Sequence, residues 1–348
     1  MYIKELTELN GVSGNEDEVR EYIKSQIKDY ADDIKVDSMG NLIAFKKGKN
    51  SKCKVMLSAH MDEVGFIVTG FGEGGVIKFA TVGGIDKRIL PGKRVLVGEK
   101  NIPGVIGSKP IHMQEKEERN INIKFKNMYI DIGAEKKEEA EKLVSLGDYV
   151  AFHSPYTQFG DGLIKAKALD DRVGCAILIE ALKERYEFDL YACFTVQEEV
   201  GLRGSEVAAY KVEPDIALVV EGTTCSDVPG VEKSEYSTVL GNGAALTIMD
   251  RTSYPDKNFV KYIYELAQKN SIPIQFKQTN SGGNDAGKIQ MSRGGVVTAS
   301  ISVPCRYIHS PVSVMSAKDY TSCKNVVISV LKNLENNQKL FDKEITKK

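Results

Sequence analysis

Two adjacent carboxylates, Glu198 and Glu199, close an apolar run from Leu190 to Val196 and are followed by a turn at Val200-Gly201. Neighbouring residues at a strand end point in different directions, so one glutamate can ligate a metal while the other faces a water. That division of labour is what metal-assisted hydrolysis requires. Taken alone, the pair reads equally as the acidic start of the next helix. Three other segments bear on the choice. Val55 to Ala59 ends at His60, Ile216 to Val220 ends at Glu221, and the strand-like stretch Gly295 to Val303 runs into a loop carrying His309. Asp170 and Asp171 open a helix beginning at Arg172. In open α/β sheets, sites form at the carboxyl ends of strands. Independent segments therefore deliver His, Asp, Glu, Glu and His to one sheet edge.

The charges of such a set balance. Two divalent cations carry about four positive charges, matched by three carboxylates and one hydroxide. With Asp170 bridging, each ion holds one histidine and one terminal carboxylate. Glu198 is then left as general base. Asp62, two residues past His60, is placed to steady the imidazole from behind. The spacing to Gly174 favours Asp170 over Asp171 as the bridge, which leaves Asp171 as outer support. Mixed nitrogen and oxygen ligation suits zinc, cobalt or manganese.

The elements that must position these groups follow from the pattern. Ser13-Gly14-Asn15-Glu16 has the form of a capping box, with Val19, Ile23 and Ile27 at helical spacing behind it. A hairpin is expected through Met39-Gly40-Asn41. From about Glu63 to Phe159 glycines cluster and strands shorten, with one helix expected near Glu135 to Leu146. Gln114 to Arg119 reads as a solvated charged loop. After Gly162, strands alternate with helices, and a C-terminal helix opens at Ser316. This implies an α/β fold: a three-layer α/β/α catalytic domain with a mostly parallel central sheet, interrupted by a small β-rich insertion. The expected division is 1–62 and 161–348 for the catalytic domain and 63–160 for the insertion.

Composition excludes other classes. The 348 residues carry 47 basic and 48 acidic side chains, a net charge of −1, so neither nucleic acid nor an anionic membrane is an expected partner. No apolar run approaches the roughly 18 residues of a membrane span. The first residues lack the apolar core of a secretory leader. Six scattered cysteines contain no CxxC pair, which points to reduced core thiols and a cytoplasmic location. His112 and His153 fall in the insertion and are expected to be structural.

AHMDEVGF at 59–66, ALDDRVG at 168–174, VQEEVGLRGS at 196–205, VVEGTTCSDVPG at 219–230, GGNDAG at 282–287 and RYIHSP at 306–311 occur in that order. With GVSGNEDEVR near the start and GVIGSKPIH in the insertion, they closely resemble the dinuclear metallo-aminopeptidases of metallopeptidase family 42. That family includes the tetrahedral TET peptidases and glutamyl aminopeptidases, and some members carry an endoglucanase label. The resemblance implies His60 and Glu221 as terminal ligands of one metal, Glu199 and His309 of the other, Asp170 as bridge and Glu198 as base. It also implies cleavage of N-terminal residues from short peptides, a β-barrel dimerisation insert, and homo-oligomers assembling from dimers toward a tetrahedral dodecamer. Glu221 stands where aspartate is common, Asn284 where threonine is usual, and Ile85 where tryptophan is often found. Asn284 is a candidate for the substrate pocket, and Asp285 either shapes that pocket or holds a tight glycine turn. The rival readings are a metal-dependent deacylase or carboxypeptidase of related fold, a glycoside hydrolase, and a non-catalytic peptide binder. Glycoside hydrolysis requires two carboxylates across a sugar cleft, usually with aromatic platforms, and this chain has no tryptophan.

Overall fold

The computed structural model describes residues 2–50 and 53–334. The outer ends of the expected catalytic segments, residue 1 and residues 335–348, lie outside that range, as do residues 51–52. At the centre, four strands run parallel: Asp189–Thr195, Lys54–His60, Ile216–Thr224 and Val297–Arg306. Their sequences are nearly continuous apolar runs, as expected of strands covered on both faces. The flanks are antiparallel because they arrive as hairpins or reversals. Leu42–Lys46 pairs with Asp189–Thr195 on one side, and Ser313–Ser316 pairs with Val297–Arg306 on the other. The sheet is thus parallel at its heart and mixed overall.

Side-chain alternation divides the sheet faces cleanly. Val55 and Leu57 pack with helices Asp17–Ile27, Leu169–Leu182 and Ala317–Asn333, whereas Met56 packs with Arg203–Val212 and Ala286–Gln290. Leu169–Leu182 buries 12 of its 14 residues, which is why its sequence shows no amphipathic stripe. A fully buried Leu57 or Ile177 stabilises the fold by about 1.5–3 kcal/mol.

Register sets the site. Thr195 pairs with His60, and Val219 pairs with Ser58, so Glu221 lies level with His60 two residues further on. Paired residues in adjacent strands share a face. Thr195, His60 and Glu221 therefore project side by side at the carboxyl edge.

Between the Lys54–His60 strand and the Leu169–Leu182 helix, the chain forms a closed six-stranded antiparallel barrel. Its order is Gly65–Phe71, Ile77–Val82, Met128–Asp131, Ile102–Ser108, Arg94–Val97 and Tyr149–Phe152. The barrel has its own core, in which Phe66 meets Phe79 and Phe152 edge-on. The expected single helix is Lys137–Leu143. The charged run differs from expectation: Lys116–Arg119 closes one helical turn, held by a capping box between Glu115 and Glu118.

A second difference lies near the start. The helix runs Asp17–Ile27 with Glu16 at its cap position, and Ser13 does not cap it. The Ser13 hydroxyl instead donates to Asp62 Oδ2 at 2.5 Å.

Candidate metal centre

Asp170 lies between the two histidines. Its Oδ1 is 3.3 Å from His60 Nε2 and its Oδ2 is 3.6 Å from His309 Nε2. Each histidine has a further glutamate: Glu221 Oε2 is 3.6 Å from His60 Nε2, and Glu199 Oε2 is 3.3 Å from His309 Nε2. Glu198 Oε2 lies 3.9 Å from His60 Nε2, and its carboxylate also comes within ligand reach of His60 and Glu199 together. All six side chains named from the sequence meet here.

The donor set fits cations. Asp170 Oδ1 and Glu221 Oε1 are buried and accept no hydrogen bond, an arrangement that costs free energy unless a positive charge faces them. Ligand atoms of His60, Asp171 and Glu221, of Asp170, Glu199 and His309, and of His60, Glu198 and Glu199 lie within 4.8 Å of one another in each group. Burial and the neighbouring carboxylates Glu199, Asp285 and Asp170 raise Glu198 well above the ordinary range. Burial, with Asp170 adding to it, pushes Glu199 up to about 7. Burial and Asp171 raise Glu221. Burial alone would lower both histidines, but the surrounding carboxylates outweigh it; His60 rises well above its ordinary value and His309 rises to about 9. The protein has concentrated carboxylates where a cation would neutralise them.

Asp171 is spent on structure. Its Oδ2 accepts from the His60 backbone N–H at 3.2 Å and its Oδ1 from Gly174 N–H at 2.9 Å. The peptide joining it to Asp170 is cis. Asp62 does more than steady an imidazole. His60 Nδ1 lies 3.4 Å from its Oδ1 and 3.1 Å from its backbone oxygen, while its carboxylate accepts the backbone N–H groups of Glu198 at 3.0 Å and Glu199 at 3.1 Å. Burial would raise Asp62, but His60, then the Ser13 hydroxyl and the Glu198 N–H, hold it below its ordinary value.

Asn284 and Asp285 lie beneath the strand end. Asp285 is fully buried; its Oδ2 accepts from Thr195 Oγ1 at 2.7 Å, so it braces the strand end beneath the glutamates. Asn284 Nδ2 donates to Ser300 Oγ, and its Oδ1 accepts from Ala286 N–H. Asn284 is thus held inside the fold, whereas Asp285 Oδ1 is buried and accepts no hydrogen bond; neither residue lines the two spaces beside the centre. That space has two parts. A cavity of about 10 Å³, room for one water, touches Glu63, Lys167, Asp170, Glu199 and His309. A wider apolar recess of about 660 Å³ opens next to His309, lined by Ile85, Ile89, Tyr307, Ile308 and Val312.

Sequence reading missed two supports. One is a buried ion network at the barrel junction. Glu63 Oε1 accepts from Lys167 Nζ, Arg172 and the Gly11 N–H, while Arg172 also donates to the backbone oxygens of Met61 and Leu6. The other is Glu16, whose Oε1 accepts from Gln197 N–H at 3.2 Å. Glu16 was visible within GVSGNEDEVR, but its spacing from Ser13 matched a helix cap.

The fold and the site define a hydrolase class that comparison with known proteins makes specific. The family described as M42 glutamyl aminopeptidase matches residues 40–326, and a short second family, described as AMPT, matches residues 3–21. A putative aminopeptidase of Acetivibrio thermocellus is 42% identical over 94% of this chain and 97% of its own length. The TET aminopeptidase of Thaumarchaeota archaeon SCGC AB-539-E09 superposes with a TM-score of 0.93 at 37% identity, covering 99% of this chain and 96% of that one. The TET1 peptidase of Pyrococcus horikoshii, described as able to assemble into a tetrahedron or a large octahedral shell, gives 0.84 at 34% identity, covering 95% and 98%. The chain belongs to the M42 metallopeptidase family and is a peptidase.

Proposed function

We propose that this protein is a two-metal aminopeptidase that removes N-terminal residues from short peptides. The observation that carries the reading is the Asp170 carboxylate set between His60 and His309, with Glu221 and Glu199 outside them. His60 and Glu221 would hold one divalent cation, His309 and Glu199 the other, and Asp170 would be shared; zinc, cobalt and manganese all suit these donors. Bound there, the pair would supply a Lewis acid for the scissile carbonyl, an anchor for the free α-amino group, and a shared water of lowered pKa.

The chain's own residues do the rest. Glu198 takes the proton of the attacking water and returns it to the leaving amine. Burial and crowding suit Glu198 to that cycle, because they raise its affinity for the proton it must carry. Asp62 fixes the imidazole of His60 and the backbone of both glutamates together, so that ligand and base keep one spacing. Two histidines crowded onto one carboxylate favour metal-assisted hydrolysis over glycoside cleavage. Asn284 and Asp285 act from beneath, through the strand end and the turn they brace.

We further infer that the 63–160 insertion is a dimerisation module and that dimers assemble toward a tetrahedral dodecamer, by analogy with TET relatives. Six buried cysteines scattered along the chain suit a reducing cytoplasm. No helix among the described residues is long and apolar enough to cross a membrane.

Glu198→Gln tests the mechanism. It should keep both metals by elemental analysis and lose about 10²- to 10⁴-fold in kcat. Wild-type turnover in that variant would remove Glu198 from the role. Acetylating the peptide amino group should stop cleavage; ready cleavage of the blocked peptide would favour the deacylase or carboxypeptidase reading.

A further inference from the structure

The turn that presents Glu198 and Glu199 has four consecutive backbone N–H groups, and each is accepted by a side chain from the N-terminal part of the chain. Val196 N–H goes to Asn41 Oδ1 at 3.0 Å, Gln197 to Glu16 Oε1 at 3.2 Å, and Glu198 and Glu199 to the two oxygens of Asp62 at 3.0 and 3.1 Å. The turn makes no such contact by default. Gln197 stands in the left-handed region with φ of 58°, where a side chain other than glycine is disfavoured and must be held by its surroundings. The hydrogen bond from Gln197 to Glu16 is at the residue that turns the chain out of its strand.

Glu16 is itself fixed. It is 4% exposed, and the same Oε1 accepts Gly14 N–H at 2.7 Å. Gly14 has a φ of 91°, and a β-carbon there would lie 2.6 Å from the Tyr149 hydroxyl of the barrel. The segment is therefore wedged between barrel and turn, with Ser13 donating to Asp62 beside it. A residue 181 positions from Gln197 is thus the anchor for the direction in which the following glutamate leaves the strand.

We propose that Glu16 is a positioning residue for the reaction: it locks Gln197 so that Glu198 is aimed at the attacking water and Glu199 at its ligand position. This rests on the reading of Glu198 as the base. Glu16 touches neither substrate nor metal ligand side chain in this scheme and acts only through the Gln197 backbone.

The test compares Glu16→Ala and Glu16→Gln in the full-length, metal-loaded protein with an aminoacyl p-nitroanilide substrate. Glu16→Gln keeps the Oε1 acceptor and Glu16→Ala removes it. We expect Glu16→Ala to lose on the order of 10- to 100-fold in kcat with little change in KM, and Glu16→Gln to recover most of that loss. Hydrogen exchange of the metal-free proteins gives a readout independent of turnover. Exchange across residues 196–199 should quicken in Glu16→Ala and stay slow in Glu16→Gln, with the sheet interior unchanged in both. Wild-type kcat in Glu16→Ala would overturn the proposal. So would equal losses in the two variants, or quickened exchange throughout the domain. An inactive wild-type protein, or an active Glu198→Gln, would instead refute the underlying reading of the base.

Discussion

Glu16→Gln should also change how stability depends on pH, with a magnitude that follows from burial. The carboxyl is raised from its ordinary 4.5 to about 7, first by burial and then by the Asp62 charge, against the opposing pull of the Gly14 and Gln197 donors. A carboxyl raised on folding stabilises the protein in its neutral form. That contribution is complete below the unfolded value of 4.5 and is lost as pH rises through about 7. Each pH unit between the two values is worth about 1.4 kcal/mol, so at pH 8 the ionised Glu16 costs the fold about 3 kcal/mol. Glutamine keeps the acceptor and cannot ionise. Thermal denaturation of identically metal-loaded proteins should therefore give nearly equal Tm at pH 4.5 and a variant higher by about 4 °C at pH 8. A Tm difference that is the same at both pH values would refute the reasoning, as would a variant less stable than wild type at pH 8.

Two further perturbations probe the surroundings. Lys167→Met strips the buried Glu63 of its closest cation, leaving Arg172 and the Gly11 N–H, and should cost about 3–5 kcal/mol in urea denaturation; a loss under about 1 kcal/mol would show the network to be dispensable. Removing metal with a chelator should abolish activity and lower Tm, more at pH 8 than at pH 6. Glu199, raised to about 7 chiefly by burial, becomes charged across that interval beside Asp170 with no metal ion to offset it. An unchanged Tm after verified metal removal would count against cations at this centre.

The fold and the meeting of the six side chains were legible because both depend on short-range pattern. A buried parallel strand is an apolar run, its end is where that run stops, and the residue at the stop lies at the sheet edge whatever the rest of the chain does. His60, Glu199 and Glu221 could be located in this way from stretches of five to seven residues. The β-rich character of the insertion was also readable from glycine spacing. Its closure into a barrel was an expectation from family resemblance, since closure depends on which strands pair: Gly65–Phe71 meets Tyr149–Phe152 across the length of the insertion.

What holds the ligands in place was illegible for the opposite reason. Ser13 to Asp62, Glu16 to Gln197, Lys167 to Glu63 and Arg172 to Met61 are single contacts across 49, 181, 104 and 111 positions, and no local period encodes any of them. A Ser followed three residues later by Glu satisfies a helix-cap pattern whether or not it caps. Here the same two side chains face away from the helix and toward the turn, because Asp62 is a buried acceptor and the Gln197 N–H a part-buried donor, and both require partners. A hydrogen-bonding group placed near a helix start has two possible clients, the free N–H groups of that helix or those of a distant turn. The distant turn prevails where it is the more deeply buried, since water can satisfy an exposed helix end but cannot reach the strand end beneath Glu198. Asp285 obeys the same rule: it stands in a glycine-rich loop that reads as a pocket rim, and the buried Thr195 hydroxyl draws it under the sheet edge. Around this centre, unsatisfied buried groups at the carboxyl edge recruit polar residues from wherever the chain passes, and they outweigh local motif.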